Sequence, residues 1–261
     1  MKFDLHIHSV YSDDSILPVD MLLRAAASAG LDGVAVADHN TIEGSRAAGK
    51  AGGDILVIPA AEYSTDAGHL LALFLREGLE NAGIDRNEKG LYKADELSGA
   101  AREQGALIFS AHPFAGGGLY EKADGIEVYN GRAAVGRNRG ANAEAAAAAK
   151  RLNKPYSAGS DAHFAAEIGT AHIELDCAPA LSDIKAALLR GGGRVFGQAW
   201  RLSYRAQSSI IKMYEKKNYK RLLKYLAQYP AFLALDLLRA AKIAHPIENF
   251  EFINDITGEN E

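Results

Sequence analysis

The run Gly33-Val34-Ala35-Val36-Ala37 contains no polar side chain and is bounded by Asp32 and Asp38. A run this short and this apolar reads as a strand covered on both faces, which is the condition of strands in a parallel sheet flanked by helices. A helical stretch precedes it, from about Pro18 to Ala29, with Pro18 suited to a first turn and Gly30 to the position just past the end. The unit then recurs. Phe3–Leu5, Ile55–Ala61, His69–Leu75, Ala106–Ser110, Ile126–Tyr129, Pro155–Gly159 and residues 171–176 read as strands. Asp95–Gln104 and the alanine-rich residues 141–152 read as helices. Strands alternating with helices predict a mainly parallel α/β sheet, and seven or eight strands permit a closed barrel. With 261 residues, 48% of them hydrophobic, the chain is long enough for such a barrel.

The formal charge of −4 argues against a protein that wraps long nucleic acid, since such binding neutralises phosphates. Cys177 is the only cysteine, so no internal disulfide is expected, and a buried thiol is its expected role. No apolar run has the length of a membrane span, and Met1 opens no basic-then-apolar leader, so a cytoplasmic protein is expected. The character of the chain changes after Trp200. Residues 201–224 carry eight lysines and arginines against the single acid Glu215, a net +7 that leaves −11 for the rest. Leu222, Leu223, Leu226, Tyr229, Leu233, Leu237 and Ala241 then recur at helical spacing, with Pro230 expected to kink or restart the helix. Residues 1–200 therefore read as the barrel and residues 201–261 as a basic, helical C-terminal extension.

Histidines and carboxylates stand just past the strands. His6 and His8 follow the first strand, and positions two apart in an extended chain point the same way. His39, Glu62, His112, Asp161 and His163 each follow a strand, and the C-terminal strand ends of a barrel form one face. Neutral imidazole and carboxylate together suit Zn, Mn and Fe. His69 opens a strand rather than ending one. His172, inside the last strand, and His245, before Pro246, read as unrelated to this set. Asp38 stands beside His39, either orienting a neighbouring imidazole or capping a turn. Asn130, Arg132, Arg137 and Arg139 follow the sixth strand, where a guanidinium would match a phosphate bidentately. Gly116-Gly117-Gly118 lacks the lysine and hydroxyl residue of a P-loop and reads as a loop.

These segments resemble the PHP (polymerase and histidinol phosphatase) family over roughly residues 1–200. They are His6-Ile7-His8-Ser9 with Tyr11-Ser12-Asp13, then Ala37-Asp38-His39-Asn40-Thr41, Ser110-Ala111-His112-Pro113 and Gly159-Ser160-Asp161-Ala162-His163, with Glu62 and His69. The resemblance implies a distorted (β/α)7 TIM-like barrel with two or three divalent metal ions, Mn, Fe or Zn, at the C-terminal rim. It implies that His6, His8, Glu62 and Asp161 hold one ion. Glu62, His69 and His112 would hold a second, and Asp13, His39 and His163 a third. Many relatives have Ser-Asp-Gly where this chain has Ser12-Asp13-Asp14, which leaves Asp14 as the alternative to Asp13. Histidinol phosphatases tend to place a histidine near this point and none stands here, which argues against histidinol phosphate.

The expected chemistry is hydrolysis of phosphate esters by a metal-activated water. His39 or His163 is the candidate acid for the leaving oxygen, although both are also ligand candidates. The expected substrate is a small phosphorylated molecule, nucleotides favoured, or a short single-stranded nucleic acid. A metal-dependent hydrolase of another bond, amidohydrolase-like, and a non-catalytic PHP-like module are the alternatives. Arg201 and Arg205 are four apart and come soonest after the barrel, so they are the cations of the extension expected to reach a substrate phosphate, with the later lysines outside or facing a second subunit. Pairing of the C-terminal helices into a homo-oligomer is a further expectation.

Overall fold

The computed structural model describes residues 1–134, 138, 140–198, 201–240 and 249–253. Each strand expected above is present: β1 (Lys2–Ile7), β2 (Gly33–Val36), β3 (Leu56–Thr65), β4 (Gly68–Leu73), β5 (Leu107–Ser110), β6 (Gly125–Asn130), β7 (Tyr156–Gly159) and β8 (Ala171–Glu174). Two more follow, β9 (Arg194–Gln198) and β10 (Asn249–Ile253). All ten form one sheet in the order β10-β9-β8-β1-β2-β3-β4-β5-β6-β7. β1, β2 and β3 pair in parallel, as do β5, β6 and β7. Between the two groups β4 runs antiparallel to both its neighbours.

The sheet curls. The chain leaving β7 returns to β1, where Asp161 N donates to His6 O (2.7 Å) and His8 N donates to Ala162 O (2.8 Å). Gly159 allows this closure, because a Cβ there would stand 2.3 Å from the His6 Cβ. The closing contacts lie at the ends of the parallel strands, so they bring His6, His8, Asp161 and His163 to one rim.

The helices are α1 (Val19–Ser28), α2 (Glu43–Ala51), α3 (Ala94–Glu103), α4 (Ala141–Arg151), α5 (Leu181–Arg190), α6 (Leu202–Glu215) and α7 (Tyr219–Ala240). They do not alternate one-for-one with the strands. β3 turns directly into β4, and only a 3-10 turn at Ala165–Glu167 precedes β8. The fold is thus an α/β protein with a curled ten-stranded sheet. β2 is buried at every position, as its lack of polar side chains requires. Leu22 and Ala26 of α1 pack with Val34 and Val36 of β2 on one side. Leu97 and Ala101 of α3 pack with Leu70 and Ile108 on another. Each fully buried leucine, isoleucine or valine among them contributes roughly 1.5–3 kcal/mol.

Residues 201–261 differ from the expected extension in one respect. α6 and α7 are its helices, but β10 returns to the sheet and pairs antiparallel with β9 from Asn249 against Gln198 to Ile253 against Arg194. α7 runs through Pro230 without interruption. Among the described residues no helix is long and apolar enough to cross a membrane.

Candidate metal centre

Glu62 is the hub of the rim. It lies within β3 rather than past its end, because β3 runs on to Thr65 as the first arm of the hairpin with β4. That hairpin places His69 beside it. Glu62 Oε1 lies 2.9 Å from His69 Nδ1 and 2.9 Å from His112 Nε2. Oε2 faces His39 Nδ1 at 3.0 Å and the Nε2 atoms of His6 and His8 at 3.4 Å each. Five imidazoles therefore surround one carboxylate that is 1% exposed. Burial alone would raise the Glu62 pKa, but the charges of His6, His39 and His69 outweigh it and hold the carboxyl well below its usual range.

His6 and His8 are aimed by what their other ring nitrogens hold. His6 Nδ1 meets Glu127 Oε1 at 2.9 Å, and His8 Nδ1 meets the Ser12 hydroxyl at 3.1 Å. Both Nε2 atoms are thereby turned to the site, 3.1 Å apart. Burial lowers the basicity of His6, but Glu127, Glu62 and Asp161 more than offset it and the net shift is well upward. Asp161 Oδ1 is 3.3 Å from His8 Nε2 and 3.5 Å from His163 Nδ1. Burial pushes the Asp161 carboxyl up, yet His6, His8, His163 and Arg132 carry it well below the usual range.

At the outer edge, Asp14 Oδ2 lies 2.8 Å from His163 Nε2 and 3.5 Å from His39 Nε2. The carboxylate brought to these rings is thus Asp14. Asp13 is exposed, and its backbone oxygen accepts from Lys216 Nζ at 3.0 Å. Of the two alternatives, Asp14 is the one that the structure brings to His39 and His163.

Three ligand sets follow, each with donor atoms within 4.8 Å of one another: His6, His8 and Asp161; His39, Glu62 and His69; His8, Asp14, His39 and His163. The residues fit a divalent cation on their own geometry. Glu62 Oε2 and His39 Nδ1 are buried and 3.0 Å apart, yet neither has a hydrogen-bond partner. Lone-pair atoms that converge without hydrogen-bond alignment are arranged as ligands around a common point. Mixed imidazole and carboxylate is the donor set that Zn, Mn and Fe accept. Asn40, His112 and Asp161 all adopt positive φ, 56°, 31° and 55°. Such backbone costs of order 1–3 kcal/mol per residue and persists where the surroundings over-determine it.

The remaining expected site residues divide. Asn130 is buried and positions two carboxylates, donating from Nδ2 to Glu127 Oε2 (3.1 Å) and Asp161 Oδ2 (3.2 Å). Arg132 lines the cleft above the ligands, with Nη1 2.9 and 2.6 Å from the two ring nitrogens of His163. Among the described residues Asp38 holds Ser9 rather than an imidazole. Its carboxylate accepts from Ser9 N (2.7 Å) and Ser9 Oγ (2.6 Å), anchoring the loop that follows His8. Gly44 makes room for it, since a Cβ there would lie 1.7 Å from Asp38 Oδ2. Arg201 is exposed at the start of α6, its guanidinium 5.7 Å from the Tyr204 ring centre. The side chain of Arg205 lies outside the described residues, as do Arg137, Arg139 and His245. The extension's lysines are not all outside as expected. Lys216 holds the Asp13 carbonyl, and burial lowers Lys212, with Asp14 opposing and Lys216 and Arg132 reinforcing. His172 stacks on Phe196 at 5.3 Å, away from the rim, and Cys177 is half-buried.

Sequence reasoning missed Glu127. Besides His6 it accepts from His112 N at 2.8 Å, so one buried carboxylate orients two ligand residues. A register shift between Glu127 and Tyr129 in the pairing of β6 with β7 lets Glu127 and Asn130 meet, although they stand three apart. A charged residue inside the otherwise apolar run Ile126–Tyr129 was the available signal.

Together these features define an α/β protein whose sheet rim gathers His, Asp and Glu clusters that could hold divalent metal. A family model described as PHP-associated matches residues 139–192. The uncharacterized protein MJ0417 of Methanocaldococcus jannaschii is 32% identical over 188 residues, covering 67% of this chain and 70% of that protein. A second uncharacterized protein of that organism, MJ1587, is 32% identical over 149 residues, covering 50% of this chain and 82% of its own length. Among solved structures, the fold is shared with a two-domain protein of Bacteroides vulgatus containing a predicted PHP-like metal-dependent phosphoesterase. The TM-score is 0.60 and the identity 21%, over 76% of this chain. The chain spans 64% of that protein's length. The chain belongs to the PHP domain family.

Proposed function

We propose that this protein is a metal-dependent hydrolase of phosphate esters with a small phosphorylated substrate, a nucleotide or a short single-stranded oligonucleotide. The observation that carries the reading is the junction of the three ligand sets with Arg132 on one cleft of about 250 Å³. Binding pockets for drug-sized ligands start near ~300 Å³, so a cleft this size suits a phosphoryl group and its immediate neighbours. Divalent ions bound there would supply an activated water and offset charge on the phosphoryl oxygens. His6, His8, Glu62, Asp161, Asp14, His39, His69 and His163 are the residues that would hold them, with His112 beside His69 at Glu62 Oε1. The family resemblance gives two or three ions in a distorted (β/α)7 barrel, and the overlap of the sets through His8 and His39 agrees with more than one.

Arg132 is placed to grip the substrate. Its guanidinium presents a planar fork, and a phosphate offers the two oxygens that such a fork recognises. Glu62 and Asp161 exclude an anion from the depth of the cleft unless cations intervene, so the phosphate sits on the Arg132 side. Of the two rings considered as acid for the leaving oxygen, His39 is the one that holds a proton in the metal-free site, a proton it would give up to a bound cation. Burial opposes protonation, but Glu62 and Asp14 raise its pKa to about 10. His163 is held neutral, pushed down to about 4 by burial and by Arg132. A neutral ring keeps a lone pair, which it would give to a cation in place of Arg132 Nη1, 2.9 and 2.6 Å from its two nitrogens.

The test is a screen of the protein, supplied with Mn, Zn or Fe in turn, against phosphomonoesters, short oligonucleotides and cyclic amides. Metal-dependent release of phosphate, lost in Glu62→Gln and weakened in KM by Arg132→Ala, is the expected result. Turnover of the amides alone, or none of any class with metal bound, refutes the reading.

A further inference from the structure

Helix α7 uses one face against α6 and leaves another open. Positions Leu222, Tyr225, Tyr229, Phe232, Asp236 and Arg239 are half-buried or buried. The Tyr229 hydroxyl accepts from Gln207 of α6 (2.6 Å), and the Asp236 carboxylate caps the start of α6 at Leu202 N (2.9 Å) and Ser203 N (2.8 Å). A second line runs beside this face: Tyr219, Leu223, Leu226, Pro230, Leu233 and Leu237. It is exposed throughout, with Leu223 at 67% and Leu237 at 64%.

The spacing of that line alternates four and three. This is the heptad seam by which one helix packs along another. It carries no charge over its whole length, and Ala227 and Ala234 flank it, small enough for two backbones to approach. A helix lying on a membrane would carry its basic residues along its whole polar face. Here Lys220, Arg221 and Lys224 lie in the first two turns, and the remaining basic residue of α7, Arg239, is half-buried beside Asp236.

The seam is close to palindromic about Pro230. Leu223 and Leu237 stand seven residues to either side of it, Leu226 four before and Leu233 three after. A second α7 laid antiparallel, with a twofold axis near Pro230, sets Leu226 against the partner's Leu233 and Leu223 against the partner's Leu237. An interface between identical chains needs that self-complementarity. Charge selects the same arrangement. Parallel pairing would put the two basic ends side by side. Antiparallel pairing about Pro230 separates them by about 24 Å along the helix, since the basic cluster is centred about eight residues from the axis. It also sets each basic end beside the partner helix's C-terminal carbonyls, which carry partial negative charge.

We propose that the protein is a homodimer held by antiparallel pairing of α7 across an axis near Pro230. The inference is independent of the proposed chemistry. Sedimentation equilibrium across a micromolar concentration series should give twice the chain mass. Leu226→Glu/Leu233→Glu should give the chain mass with an unchanged circular dichroism spectrum. Pro230→Cys in a Cys177→Ser background places one thiol per chain at the axis, and mild oxidation should yield a disulfide-linked dimer. The cysteine variant decides the matter even if the double glutamate variant fails to fold. A monomer at all concentrations, a dimer that survives the glutamates, absence of the disulfide, or a monomer that co-sediments with phosphatidylserine vesicles would each overturn the proposal.

Discussion

Replacing Glu127 by glutamine tests whether the metal centre depends on the groups behind its ligands. Glu127 is buried, and its two oxygens have different tasks. Oε1 accepts from His6 Nδ1 at 2.9 Å, and Oε2 accepts from His112 N at 2.8 Å and Asn130 Nδ2 at 3.1 Å. A glutamine has one acceptor and one donor. With its amide nitrogen toward Oε2's partners, it faces the His112 N–H and the Asn130 amide, donor against donor. Turned the other way, it faces His6 Nδ1 and forces that ring into the tautomer whose Nε2 bears the proton, removing the lone pair from the site. Each orientation leaves buried groups unpaired, at about 1–3 kcal/mol. In the second, the loss falls directly on a ligand. Losing such an outer partner of a ligand typically reduces metal affinity about 10–100-fold, or roughly 1.4–2.7 kcal/mol. Competition with a chelator of known affinity, followed by elemental analysis, measures this. His172→Asn is the control, since that ring stacks on Phe196 away from the rim, and it should leave metal content unchanged. Wild-type affinity in Glu127→Gln would refute the idea that Glu127 fixes the His6 tautomer.

Asp14→Asn should lose metal and most activity, whereas Asp13→Asn should keep kcat within about threefold, well under 1 kcal/mol of transition-state stabilisation. The reverse ranking would return the ligand role to Asp13. Metal uptake should release protons. A ring protonated below its raised pKa has no lone pair to give, so affinity should climb as pH rises from the ordinary 6.5 toward the His39 value of about 10. Calorimetry in two buffers of different ionisation enthalpy reads the protons directly, and equal heats would contradict the ligand assignment. Gly44→Ala should destabilise by about 1–3 kcal/mol, since its Cβ would overlap Asp38 Oδ2. Gly49→Ala, in the same helix with nothing within 4 Å of the added Cβ, should instead stabilise by about 0.5–1 kcal/mol. Melting temperatures that move together in the two variants would show that α2 does not support the Asp38 loop.

The parallel strands were legible because burial on both faces leaves a simple mark, a short run without polar residues such as Gly33–Ala37. Elements that depend on distant partners left no such mark. β10 is a strand because it meets β9, and two helices separate them in the chain. α2 carries Gly44 and Gly49, which lower helix propensity. At Gly44 the reason is the space taken by Asp38, so the residue that obscures the helix in the sequence serves the loop beside the site. The overrun of β3 to Thr65 follows from the hairpin with β4, a pairing that a strand-ends-at-the-rim rule does not anticipate.

Most of the ligands were legible for a related reason. A histidine directly after an apolar strand has only the rim to occupy, so position in the chain nearly determines position in space. Asp13 and Asp14 show the limit of that logic. They are neighbours of the same type, and which one faces His163 is decided by the path of a loop held by Ser12, whose hydroxyl binds both His8 Nδ1 and His39 N. Lys212 and Lys216 show it again from the other side. Proximity in sequence favoured Arg201 and Arg205 for the rim; the structure adds that α6, started at its Asp236 cap, also carries a later turn to residue 13, where Lys216 holds the backbone oxygen. Where a helix lies over a site is set by what anchors its ends, and the anchor here comes from α7, more than thirty residues further along the chain.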